Sequence, residues 1–155
     1  MTIDAIAWLI LRVVYAWMFL WPLIALLKDW PGTVATVSLL CPYKANFSAV
    51  VMVLVMIAGA LSILFGFYGQ VAGLVLLVYN IFGVFVHRKA AQAIATLKLS
   101  NKGVAADQKI FTQAQAIGVV GHITSSQKNW VLASVACFFM LMGTGPLSVT
   151  GRLFF

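Results

Sequence analysis

Residues 8–27 read WLILRVVYAWMFLWPLIALL, an apolar run with a single charge inside it, Arg12. A membrane span needs about 20 such residues. The run extends back to residue 3, and three further stretches approach the same length: residues 47–68, 71–86 and 130–147. In lipid every backbone N–H and C=O must be paired within the protein, which leaves helices or a closed barrel. Barrel strands alternate apolar and polar residues. These runs do not, so helices are expected. Only 8% of the 155 residues are charged, against about 25% in a soluble domain. The expected fold is one all-α domain over residues 1–155, an integral membrane four-helix bundle with both termini on one side.

Basic residues orient it. Lys28, Lys44, Arg88, Lys89, Lys98, Lys102, Lys109 and Lys128 fall in the first and third connectors, and only Arg152 falls on the opposite side. Connectors rich in Lys and Arg stay in the cytoplasm. Both termini are therefore expected outside, in a multi-pass protein of the cytoplasmic membrane. The net charge of +7 then forms a collar beside anionic headgroups. Because the charges flank spans and build no basic domain, nucleic acid is not the expected partner. Cys41 and Cys137 form no C-x-x-C, so neither a thiol relay nor a metal site is expected. No positive residue precedes the first run, which itself holds Arg12 and three tryptophans, so it is not read as a cleavable signal.

The connectors carry detail. Between Lys28 and Phe47, TVATVSLLC is too short to span and too apolar to be free. It is expected at the interface or as a re-entrant piece, with Trp30 and Tyr43 at headgroup depth. In the third connector Ile110, Ala114 and Ile117, with Phe111 beside them, mark an amphipathic interfacial helix between helices 3 and 4. Asp107 is its expected N-cap, and LSNKG and ITSSQKN read as turns around it. Ser62 with Gly66, and Gly69 with Gly73, have the small-residue spacing that lets helices approach closely in lipid. Pro22 predicts a kink in the first helix.

Arg12 is the central candidate. At a rise of about 1.5 Å per residue it lies roughly 13 Å along the first helix, near mid-membrane. A cation there is unfavourable by about 2.5–3.5 kcal/mol on insertion scales. Trp8 and Tyr15 share its face, and a guanidinium over an indole offsets about 0.5–2 kcal/mol of that. At the same counted depth the second helix has Met56 and the third has Tyr79 and Asn80. The expected partners of Arg12 are therefore Asn80, Tyr79 and the ring of Trp8, with no carboxylate. Two readings stand for this cluster: a structural staple, or a seat for an anionic or carbonyl-bearing ligand. His87, ahead of Arg88 and Lys89, is either an interfacial anchor or a donor to a quinone or acid headgroup. His122 is given no role. With three Asp and no Glu, no catalytic constellation is present.

The order of these features resembles the DoxX family of small four-helix membrane proteins. The carriers are Arg12 and Lys28 in the first helix, AGALSILFGFY (58–68) in the second and His87 closing the third. KNW (128–130) opens the fourth helix and GTGPLSVT (143–150) closes it. Two positions depart from the family pattern, which commonly has an acid where this chain has Met56 and another where it has Thr150. By counted depth the first acid would face Arg12. The resemblance implies an accessory subunit of a membrane redox complex, with a redox protein as partner and a quinone or lipid held near Arg12 and His87. The alternatives are a quinone-reducing subunit, its redox centre on a partner, or a small transporter.

The orientation has a direct check. With Cys41 and Cys137 replaced by Ser, a cysteine at Ser100 is expected to resist an impermeant thiol reagent in intact cells, and one at Thr150 to react.

Overall fold

A computed structural model of the chain describes residues 2–99 and 105–150. Its regular structure is helical: α1 (Ile3–Lys28), α2 (Trp30–Ser38), a 3₁₀ turn at Pro42–Lys44, α3 (Ala45–Phe65), α4 (Gly69–Ala95) and α5 (Ala105–Met142). Among the described residues, Ile3–Lys28, Pro42–Phe65 and Gly69–Ala95 are long and apolar enough to cross a membrane. The chain is a multi-pass all-α membrane protein. Its apolar C-terminal third lets α5 join α1, α3 and α4 as the fourth long helix of the bundle.

Local chemistry sets the boundaries. The Thr2 hydroxyl accepts from the Ala5 N–H at 3.4 Å. Asp4 in the first turn and Lys28 in the last match the helix dipole. Pro22 lies inside α1 without ending it. Asp29 serves two helices. Its N–H closes α1 on the Ala25 carbonyl at 3.0 Å, and its carboxylate accepts from the Gly32 N–H at 3.1 Å to open α2. At nine residues, α2 is about 14 Å long, too short to span, as TVATVSLLC suggests. The Thr33 hydroxyl folds it back onto the Leu26 carbonyl at 2.8 Å, and Lys89 ties its end to α4 through the Leu39 carbonyl at 3.1 Å. Trp30 is half-buried beside the core, while Tyr43 is fully exposed.

The structure corrects two expectations here. The amphipathic stripe is not a separate helix, because α5 runs unbroken from Ala105 through ITSSQKN to Met142. Within ITSSQKN the Thr124 hydroxyl bonds back into the helix instead, donating to the Val120 and Gly121 carbonyls at 3.0 Å, a mode helices tolerate. Asp107 consequently sits within the first turn and is not the cap. Most of LSNKG lies outside the described residues. Ile110 and Ile117 remain exposed on α5. The second correction is at the other end of α5. The last apolar run is helical only to Met142, where Gly143 and Gly145 take positive φ and Pro146 follows. These residues cannot prolong a helix, so residues 143–150 fold as an irregular strap.

The core lies where the four long helices meet: Tyr15 and Phe19 from α1, Met56 and Ile63 from α3, Leu76 from α4, Phe139 from α5. Large apolar side chains such as Trp17, Trp21, Leu54, Phe82 and Val131 point outward, as a lipid-facing surface requires. α4 and α5 approach closely at Gly73. A Cβ there would stand 2.5 Å from the Met140 backbone nitrogen and 2.8 Å from the Ala136 carbonyl oxygen. Gly73 thus makes the close helix approach that the small-residue spacing predicts, whereas Gly66 and Gly69 abut the strap at Ser148 and Thr144.

Gly73→Ala is expected to lose about 1–3 kcal/mol through overpacking, seen as a lower melting temperature in detergent. A Cβ on Gly121 meets nothing within 4 Å. Gly121→Ala is expected to gain up to about 1 kcal/mol of helix propensity.

Candidate functional site

Arg12 points into the bundle and is 3% exposed, as its cost in lipid demands. Its partners are backbone carbonyls. Nε donates to Ile63 O at 3.0 Å and Leu64 O at 3.1 Å, and Nη2 also reaches Leu64 O. Nη1 donates to Leu147 O at 3.1 Å and to Thr144 O at 3.5 Å. Ile63 and Leu64 lie in the last turn of α3, where Ile63 O also accepts from the capping Gly66 N–H at 3.3 Å and Leu64 O lies past the end of the helical ladder. Thr144 and Leu147 belong to the strap. In a setting without water these acceptors must be met by protein. The guanidinium, with five donors in a planar fork, meets both sets at once. Among the described residues its contacts include no carboxylate. Trp8 stacks on Phe138 at 5.0 Å, and its ring lies against Gly145, where a Cβ would be 2.5 Å away.

The turn that holds the α3 carbonyls is also tied to the strap. Gly66 closes α3 at φ 70°, and Phe67 N–H bonds to Ser62 O at 2.8 Å. The Thr150 hydroxyl accepts from Tyr68 N–H at 2.8 Å, and Thr150 N–H donates to Gly66 O at 3.2 Å. Thr150 therefore supplies a side-chain acceptor where the family commonly has an acid.

Asn80 and Tyr79 do not hold Arg12. Asn80 Nδ2 donates to Leu76 O at 2.6 Å and to the Tyr15 hydroxyl at 3.5 Å. Tyr15 in turn donates to Leu132 O at 3.1 Å. Tyr79 sets its ring edgewise against Phe19 at 5.9 Å. The sequence count took the helix ends as level, and they are not. Arg12 reaches the final turn of α3, so the start of α1 overshoots α3 and α4. Asn80 lies roughly 16 Å along α4 from its start at Gly69, well past the guanidinium. The same offset removes Met56 from the level of Arg12. It stands seven residues before Ile63, about 10 Å away along α3, buried in the core.

His87 has a partner that sequence reasoning missed. Its Nδ1 is 3.0 Å from His122 Nδ1, with ring centroids 5.3 Å apart. The missing signal was the continuity of α5. Once α4 and α5 are antiparallel neighbours in register from Gly73 opposite Met140, residue 87 falls opposite the mid-120s, one helical turn from His122. Gln115 belongs to the same zip, its Nε2 capping Ile94 O, Ala95 O and Leu97 O at 2.8–3.2 Å. Among the described residues no three His, Cys, Asp or Glu side chains group as a metal site.

Lipid-facing helices around a core that holds a cation on carbonyls define a polytopic helical membrane protein. The model of the DoxX family matches residues 7–88, more than half of the chain, and the chain belongs to that family. The match contains Arg12, both carbonyls of α3 and His87; the strap and His122 lie beyond it. Comparison with curated proteins and with solved structures gives no match.

Removing the guanidinium takes the donor from Leu64 O of α3 and from the strap carbonyls of Thr144 and Leu147, at about 1–3 kcal/mol for each that water cannot reach. Arg12→Leu is expected to lower the melting temperature in detergent. Arg12→Lys is expected to recover only part of the loss, since an ammonium has no fork to divide between two elements.

Proposed function

We propose that this DoxX-family protein is an accessory subunit of a membrane redox complex and that a quinone or lipid headgroup docks at its His87 end. The observation that carries this reading is the engagement of Arg12. Its donors are taken up by backbone carbonyls, which favours the staple over the ligand seat at that end. His87 and His122 point ring nitrogens at each other from two helices and offer the alternative polar seat. The redox assignment draws on the DoxX resemblance. The cytoplasmic placement of this end draws on the excess of Lys and Arg in the connectors.

The test is purification from native membranes in mild detergent, followed by mass spectrometry of extracted quinones and lipids and by native electrophoresis. A quinone or one lipid species near one copy per chain is expected, retained in Thr150→Ser and lost in His87→Phe. Co-purifying lipid no different from bulk membrane would remove the ligand half of the reading. Migration as the isolated chain under every mild condition would remove the subunit half.

A further inference from the structure

α5 is longer than the membrane it crosses. About 20 residues span the hydrocarbon, and α5 has 38. Its end at Met142 runs into the strap beside Arg12, so the excess lies at the other end, toward Ala105. Arg88 and Lys89, which ties down the end of α2, mark where the hydrocarbon stops. At that level His87 meets His122. Residues 105–121 therefore project beyond the hydrocarbon by about 25 Å.

The last turns of α4 cover one side of this projection. Gln115 caps the Ile94, Ala95 and Leu97 carbonyls, and a Cβ on Gly118 would stand 3.4 Å from the Ile94 side chain. Another side has no cover among the described residues. Ile110 is 65% exposed and Ile117 73%. Ala114 and Gly121 are exposed on the same face, which advances by four, three and four residues. A Cβ on Gly121 would meet nothing within 4 Å. Large residues at 110 and 117 thus alternate with small ones at 114 and 121, a relief of ridges and notches suited to a second helix. Lys128, seven residues past Gly121, closes the stripe.

Three kinds of occupant fit an apolar stripe. A membrane surface requires the stripe to lie flat, but α5 is one helix from span to tip, so the stripe stands along the membrane normal. A second copy in the same membrane pairs in parallel and sets Lys109 and Lys128 against their own counterparts. Residues 88–128 carry Arg88, Lys89, Lys98, Lys102, Lys109 and Lys128 against the single acid Asp107, so self-pairing brings repulsion without relief. A partner with acidic residues gains from the same charges. We infer that the Ile110–Lys128 stripe docks an amphipathic helix of another protein, apolar on one face and rich in Asp and Glu beside it. This rests on the subunit half of the proposed function, supplies the chemistry of the partner, and does not depend on a quinone.

The probe is a synthetic fluorescein-labelled helix of about three heptads, Leu along one face and Glu elsewhere, with a twin carrying Lys for Glu. Anisotropy reads binding to the full chain in phosphatidylcholine nanodiscs, with empty nanodiscs as the blank. The acidic helix is expected to bind about tenfold or more tighter than its twin and to weaken in high salt. Ile110→Gln with Ile117→Gln removes the apolar face without adding charge, and Gly121→Leu fills the notch. Each is expected to weaken the acidic helix about tenfold, with the melting temperature in detergent not lowered. Lys109→Gln with Lys128→Gln should erase the preference between the twins. Equal binding of both helices, no binding, or wild-type affinity in the Gln and Leu variants would overturn the inference. So would a dimer seen by light scattering that Ile117→Gln dissolves, since that assigns the stripe to a second copy. Native electrophoresis separates the two readings. A larger native complex that survives Ile110→Gln with Ile117→Gln removes the stripe and keeps the subunit reading. Migration as the isolated chain beside tight, stripe-dependent binding of the acidic helix removes the subunit reading and keeps the stripe.

Discussion

The bundle depends on one cation meeting backbone oxygens. Helix ends in lipid leave carbonyls that water cannot serve. Here the end of α3 and the non-helical strap after α5 present theirs to the same point, and Arg12 from α1 occupies it. The charge is favourable in that place because each of its three nitrogens has an acceptor. The strap is tolerable there because its backbone is bonded to Arg12 and, through Thr150, to the α3–α4 turn. Either feature alone would be a liability in hydrocarbon. Together they remove each other's desolvation penalty.

This arrangement bears on how the family pattern is read. An arginine in a span suggests a counter-ion, and Met56 looks like its loss. Carbonyl coordination explains how the cation is held without any acid at position 56, which lies in the apolar core. Thr150 likewise preserves an acceptor for the Tyr68 N–H without a charge. The two departures from the family pattern are thus compatible with an intact scaffold.

Much of the architecture was legible from the chain. Apolar run lengths gave the helices, small-residue spacing gave the tight contacts at Gly73, and the energetics of a buried cation turned Arg12 inward. What failed was relative height. Sequence spacing measures distance along one helix and says nothing of how far neighbouring helices are displaced, so Asn80 was matched to the wrong level. The partners of Arg12 were unreadable for a second reason: they are main-chain atoms, and every residue has a carbonyl. ITSSQKN misled because Ser and Thr favour turns in water but bond back to the helix when a long partner such as α4 supports it. His122 was hidden by that error. GTGP, in contrast, carried a clear stop signal that the apolar flanks obscured.

α5 is 38 residues long, about 57 Å of continuous helix, against roughly 30 Å of hydrocarbon. Its first turns are pinned beside the end of α4 through Gln115, and its last residue hands directly to the strap gripped by Arg12. Helices resist axial compression, and this one has no turn between its two ends to absorb a displacement. One continuous helix therefore joins the exposed surface at Ile110 to the strap that carries the carbonyls of Thr144 and Leu147.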